Sequence, residues 1–145
     1  MGDEDDRRYV LCFVDDGAVE ACRGLRRAEA SMEAPDVDSW RVYDDELFIR
    51  DLKVDLARHV SIGDCSGAAA SPGEALGRMR ELLRVRRPGE QWTDVPFDGL
   101  FEAVEEVNRM DDAATARRAR TLGLLIAVAV ATLVAWRVAR WLTWR

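Results

Sequence analysis

The chain has 145 residues, with 21 basic and 27 acidic side chains, one histidine, three cysteines and 48% hydrophobic residues, a size for one compact domain plus a short appendage. Charge is unevenly spread, since residues 1–120 hold 18 basic and 27 acidic groups while residues 121–145 hold three arginines and no acid. An acidic body excludes a general nucleic-acid binder. Cys12, Cys22 and Cys65 form no Cys-x-x-Cys pair, and with a single histidine they exclude a structural zinc site at the usual spacings. The expectation is a reducing, cytosol-facing domain without metal or cofactor.

At the amino end, Met1 to Asp6 is acidic and the apolar run Tyr9–Val14 is short, so no secretory signal is expected. By propensity RRYVLCFVDDG reads as a short buried strand closed by a turn, because valine, tyrosine and phenylalanine crowd into a bounded run. Ala18, Ala21, Leu25, Ala28 and Met32 then recur at three- and four-residue steps, which predicts a helix over about 18–33 ended by Pro35. Phe48, Leu52, Leu56 and Val60 step by four and predict helical structure from about Asp45 through Val60. The following run SIGDCSGAAA is rich in small residues and fits either a loop or a closely packed helix.

Ser71-Pro72-Gly73-Glu74 combines a serine N-cap, proline at the first helical position and a glutamate that completes a capping box. It predicts a helix over 73–87 with Leu76, Met79 and Leu83 inward, stopped by Pro88-Gly89. After Trp92 and a turn at Pro96, the residues Phe97, Leu100, Phe101, Val104 and Val107 mark another amphipathic helix. Residues 111–120 read as a polar linker.

From Thr121 to Trp136 the sequence TLGLLIAVAVATLVAW carries no charge, a helix of roughly 24 Å. Leu122, Leu124, Leu125, Ile126, Val128, Val130, Leu133, Val134 and Trp136 give it an apolar surface all round. Arg137 and Arg140 can snorkel, and Trp136, Trp141 and Trp144 suit an interface, so a single-pass tail anchor is expected with the body in the cytosol. A short span with basic flanks suits the mitochondrial outer membrane first and the endoplasmic reticulum second.

Motifs for catalysis are missing: there is no phosphate loop, nucleophile elbow or His-Glu metal helix. His59 and Cys65 as a base and thiol are outweighed by a structural role, and the acidic clusters lack a calcium loop. The reading is therefore a non-enzymatic interaction domain tethered to a membrane.

Three segments carry a family resemblance. Glu46-Leu47-Phe48, Arg50-Asp51 and Val54-Asp55-Leu56-Ala57-Arg58-His59-Val60, followed by Gly67-Ala68, match a first motif. Trp92, Asp98-Gly99 and Phe101-Glu102 echo a second, and Leu25-Arg26-Arg27-Ala28 with Met32 a third. In order and spacing to the membrane segment the chain resembles the Bcl-2 family of apoptosis regulators, shortened between the third and first motifs as in viral homologues. The resemblance implies an all-α fold, a helical bundle over 1–110 with a hydrophobic groove, then the linker 111–120 and the anchor 121–145. It also makes Arg7–Val14 the opening helix, against its strand propensity.

The partners implied are pro-apoptotic Bcl-2 relatives, BH3-only and Bax/Bak-like, whose amphipathic helix would lie in the groove. Arg58 would pair with the incoming aspartate, and Phe48, Leu52, Leu56 and Val60 would supply walls or core. Asp55 replaces the family's asparagine and stands where it could neutralise Arg58; Leu56 replaces tryptophan and Ala57 a glycine. Glu29-Ala30 in place of Gly-Asp favours a protective over a killing role, which makes an inhibitor of mitochondrial apoptosis the leading expectation. The competing expectations are a tail-anchored adaptor that recruits a partner through its acidic face and a pore-forming member of the same fold.

Overall fold

The computed structural model describes residues 7–15, 17–65 and 72–143. The elements run β1 (Arg8–Phe13), β2 (Val19–Arg23), α1 (Leu25–Ala30), a short 3-10 helix (Ala34–Ser39), β3 (Trp40–Tyr43), β4 (Ile49–Val54), β5 (Val60–Cys65), α2 (Pro72–Arg86) and α3 (Phe97–Thr143). The five strands form one antiparallel sheet in the order β2-β1-β3-β4-β5. This overturns the all-α bundle. The propensity of RRYVLCFVDDG for strand, which the resemblance set aside, is what the chain follows.

Alternation explains the layers. On β1, Val10 and Cys12 face one side while Tyr9 and Leu11 face the other, and all four are buried. With Val19, Ala21 and Tyr43, the first face packs on Ala75, Met79 and Leu83 of α2 and on Leu100, Phe101, Val104 and Val107 of α3. The second face, with Cys22, Val42, Leu52, Val60 and Ile62, packs on Leu25, Ala28, Met32 and Val37. The domain thus has helix on both sides of the sheet. By contact the chain divides into two units, Met1–Asn108 and Arg109–Arg145. Residues 111–120, expected as a linker, are helical within α3.

The helix expected over 18–33 is a strand, a break and one short helix. Val19 and Ala21 alternate with Glu20 and Cys22 across the sheet, and Gly24 takes φ 85°, a left-handed conformation suited to glycine that separates β2 from α1. The helix expected over 73–87 is present as α2, with Met79 and Leu83 fully buried; its serine cap, Ser71, lies outside the described residues, as does Gly67-Ala68.

The helix expected over 45–60 is two hairpins and their strands. Asp44 opens the first turn: its Oδ1 accepts from the backbone N–H of Glu46 (3.0 Å) and Phe48 (2.9 Å), while Leu47 sits at φ 63°. Asp55 opens the second in the same way, its Oδ1 accepting from the N–H of His59 (2.8 Å), with Arg58 at φ 63°. In both, the aspartate carbonyl accepts from the residue three positions on, and its N–H donates one residue further, to Phe48 or His59. These are three-residue hairpin loops in which the last loop residue is left-handed. Asp44 is almost fully buried, and its Oδ2 accepts from Arg50 Nε at 2.9 Å.

Both sheet edges are occupied by a side chain. On β2, Asn108 Oδ1 accepts from Ala21 N–H (3.0 Å) and Asn108 Nδ2 donates to the Val19 carbonyl (3.0 Å). On β5, Glu29 Oε1 accepts from Ile62 N–H (2.9 Å). Open strand edges invite pairing with other chains, and a helix-borne side chain on each edge blocks it.

Two substitutions check the hairpins. Asp44→Ala leaves Arg50 and two turn N–H groups without their acceptor and is expected to cost about 3 kcal/mol in urea unfolding. Arg58→Gly relieves the left-handed strain and is expected to stabilise by about 0.5–1 kcal/mol. Were residue 58 in a helix, the same glycine would destabilise by about 1 kcal/mol.

Candidate functional site

The residues expected to form a helical groove stand instead around the β4–β5 hairpin. Asp55, Leu56, Ala57, Arg58 and His59 are all exposed, and Leu56 projects fully into solvent. Phe48 is exposed beside the first turn, whereas Leu52 and Val60 face α1. Asp55 holds the turn through the His59 N–H, and that bond keeps its carboxyl below the usual range. Its other oxygen lies 3.4 Å from His59 Nδ1. Asp55 therefore shapes the loop that presents Arg58, the converse of the antagonism expected from helical spacing.

Arg58 does line a concavity. Together with Arg26, Glu29, Ala30 and Met32 from the α1 region and His59 and Val60 from the hairpin, it encloses about 390 Å³ beside the β5 edge. The arginines are exposed, and Glu29 accepts from the Ile62 N–H but keeps its charge, so the rim carries two guanidinium groups and one imidazole beside one carboxylate. Such an arrangement attracts a carboxylate and holds it by charge-assisted hydrogen bonds. Arg58 and Val60 are near in sequence, whereas Arg26 arrives from a distant segment that no local spacing links to them.

A second cleft, of about 330 Å³, has the opposite character, with Glu33, Asp36 and Ser31 beside Phe13 and Trp40. The two rings meet edge to face at 5.0 Å. It is the acidic counterpart on the same domain.

The residues of the second motif serve packing. Trp92 is 7% exposed, with the Arg87 guanidinium 5.4 Å from its ring centre and Arg80 Nε donating to its carbonyl. Phe101 is fully buried, with Arg8 and Arg23 over its ring. A Cβ at Gly99 would come within 2.8 Å of the Val95 Cγ1, so glycine there permits the close entry of α3. Trp92 and Phe101 pack in the core with the sheet, Gly99 admits the turn before α3, and none of the three borders the concavity.

In the second unit, α3 is long and apolar enough to cross a membrane. Leu122, Leu124, Leu125, Ile126, Val128, Val130, Leu133, Val134 and Trp136 are each between 54% and 68% exposed, so this apolar surface is not part of a protein core. Arg140 lies over the Trp136 ring at 5.3 Å.

Among the described residues, no group of three or more His, Cys, Asp or Glu side chains is placed to hold a metal ion. Cys12 and Cys22 are buried free thiols. Burial pushes Cys12 up to about 11 and Cys22 up to about 12, and at Cys22 the neighbouring Glu20 carboxylate adds to the rise. A thiolate is the reactive form, so both thiols are inert near neutrality.

Comparison with protein-family models, with curated proteins and with solved structures finds no match for this chain.

The thiols make a pH prediction. Each folded-state value lies above the ordinary 9.0, so the unfolded chain loses these protons first as pH rises. Their contribution is complete below pH 9.0 and is lost progressively up to about 11 to 12. Urea midpoints are expected to fall above pH 9.0, with a shallower fall in Cys22→Ala. Mass mapping after alkylation at neutral pH is expected to leave Cys12 and Cys22 unmodified until the protein is unfolded.

Proposed function

We propose that the protein is a membrane-anchored adaptor whose sheet domain, facing the cytosol, captures an acidic segment of a partner protein in the concavity between α1 and the β4–β5 hairpin. The carrying observation is the convergence of Arg26, Arg58 and His59 on one concave surface. Two guanidinium groups with a shared apolar floor, Met32 and Val60, suit a segment that alternates carboxylates with apolar side chains. The apoptosis-inhibitor expectation rests on an all-α bundle, whereas the described residues form a five-stranded antiparallel sheet flanked by helices.

The anchoring half rests on the exposed apolar length of α3. Its uncharged stretch, residues 121–136, is roughly 24 Å long and fits a thin intracellular bilayer, the mitochondrial outer membrane or the endoplasmic reticulum. Arginines flank the stretch on both sides, Arg117, Arg118 and Arg120 before it and Arg137, Arg140 and Arg145 after it, where guanidinium groups suit the headgroup regions.

Anisotropy of a labelled peptide alternating glutamate and leucine, titrated with the full chain in detergent, tests the capture. Binding is expected to weaken with salt. Arg26→Glu with Arg58→Glu is expected to weaken it by about tenfold or more, the equivalent of roughly 1.4 kcal/mol. Equal binding by that variant overturns the assignment. Tighter binding of a matched lysine-leucine peptide shifts it to the cleft of Glu33, Asp36 and Trp40.

A further inference from the structure

The start of the apolar stretch carries a feature that anchoring alone does not require. Arg117, Arg118, Thr121, Leu122 and Leu125 lie on one face of α3 and bound a shallow concavity of about 340 Å³. Its rim is two guanidinium groups, and its floor is leucine. The Thr121 hydroxyl donates back to the Arg117 carbonyl at 3.0 Å, so it stays folded against the helix and leaves the floor apolar.

From Arg117 to Leu125 the helix rises by roughly 12 Å. With the helix spanning a bilayer, that rise would set the cations level with lipid phosphates and the leucines level with the first acyl carbons.

We propose that this face binds one anionic phospholipid, its phosphodiester held between Arg117 and Arg118 and one acyl chain lying along Leu122 and Leu125. The proposal rests on the anchoring reading above. Two chemistries meet here in the order in which a lipid presents them, charge first and hydrocarbon after, and Arg120 adds positive charge one turn away. Guanidinium forks pair with phosphate oxygens through parallel hydrogen bonds, while hydrocarbon contact along the leucines separates a lipid from free phosphate. A juxtamembrane cation near a bilayer surface favours anionic lipid by a factor of about five.

The test uses the full chain reconstituted into vesicles of phosphatidylcholine alone and of phosphatidylcholine doped with phosphatidylserine. Flotation with both kinds of vesicle reports anchoring. Native mass spectrometry of protein released from the doped vesicles reports which lipids stay attached. The expected result is flotation in both cases and retention of phosphatidylserine enriched about fivefold over its bulk share. Arg117→Gln with Arg118→Gln is expected to abolish the enrichment without changing flotation, and the paired lysine variant to keep most of it.

Flotation without enrichment overturns the lipid site and leaves anchoring intact. Absence of flotation overturns both. Enrichment that survives the glutamine pair, or that inorganic phosphate removes at millimolar concentration, also overturns the site, the latter by showing that the hydrocarbon contact contributes nothing.

Discussion

Burial of β1 on both faces is the constraint from which the domain follows. Tyr9, Val10, Leu11 and Cys12 are consecutive and all shielded from water, which a strand achieves only with a layer packed on each side. Helices α2 and α3 supply one layer, and α1 with the 3-10 helix supplies the other. Two buried thiols, one on each face of the sheet, are consequences of the same packing: Cys12 faces α2 and α3, and Cys22 faces α1.

A sheet wrapped by helices still has two edges. Asn108, near the point where α3 leaves the first unit, bonds the backbone of β2, and Glu29 bonds that of β5. Each satisfies polar groups that would otherwise pair with another chain. Because these side chains come from helices, helix docking and edge protection are coupled. Glu29 has a further effect: the bond to Ile62 turns one of its oxygens toward the sheet edge, and Arg26 and Arg58 outnumber its single charge at the adjacent concavity.

Charge is distributed so that a net-acidic domain presents arginine at chosen places. Many arginines are paired, as in Arg41 with Glu74, Arg23 with Glu105 and Arg87 with Glu90 and Glu106. Others are used for their planar faces, over Phe101 and Trp92. Arg26 and Arg58 form no ion pair among the described residues that the geometry records, and they converge on a single concave surface. The proposed adaptor role rests on that contrast.

The primary sequence was sufficient for the segments whose signal is local. Residues 121–136 are uncharged and apolar all round, which makes them long and apolar enough to cross a membrane whatever the rest of the chain does. Pro72 to Pro88 brackets α2 by backbone chemistry alone, and the run from Tyr9 to Val14 has the β-branched and aromatic content of the strand it forms. The stretch 45–60 was different. A four-residue step keeps side chains on one face of a helix, but Phe48 and Leu56 fall at hairpin turns and only Leu52 and Val60, on paired strands, face α1. What decides is pairing: Leu52 opposes Ile62 and Val54 opposes Val60 across the hairpin, while Asp44 and Asp55 tie down the turns. Those partners are brought together by chain reversal, and for the same reason only the tertiary structure could set Arg26 beside Arg58.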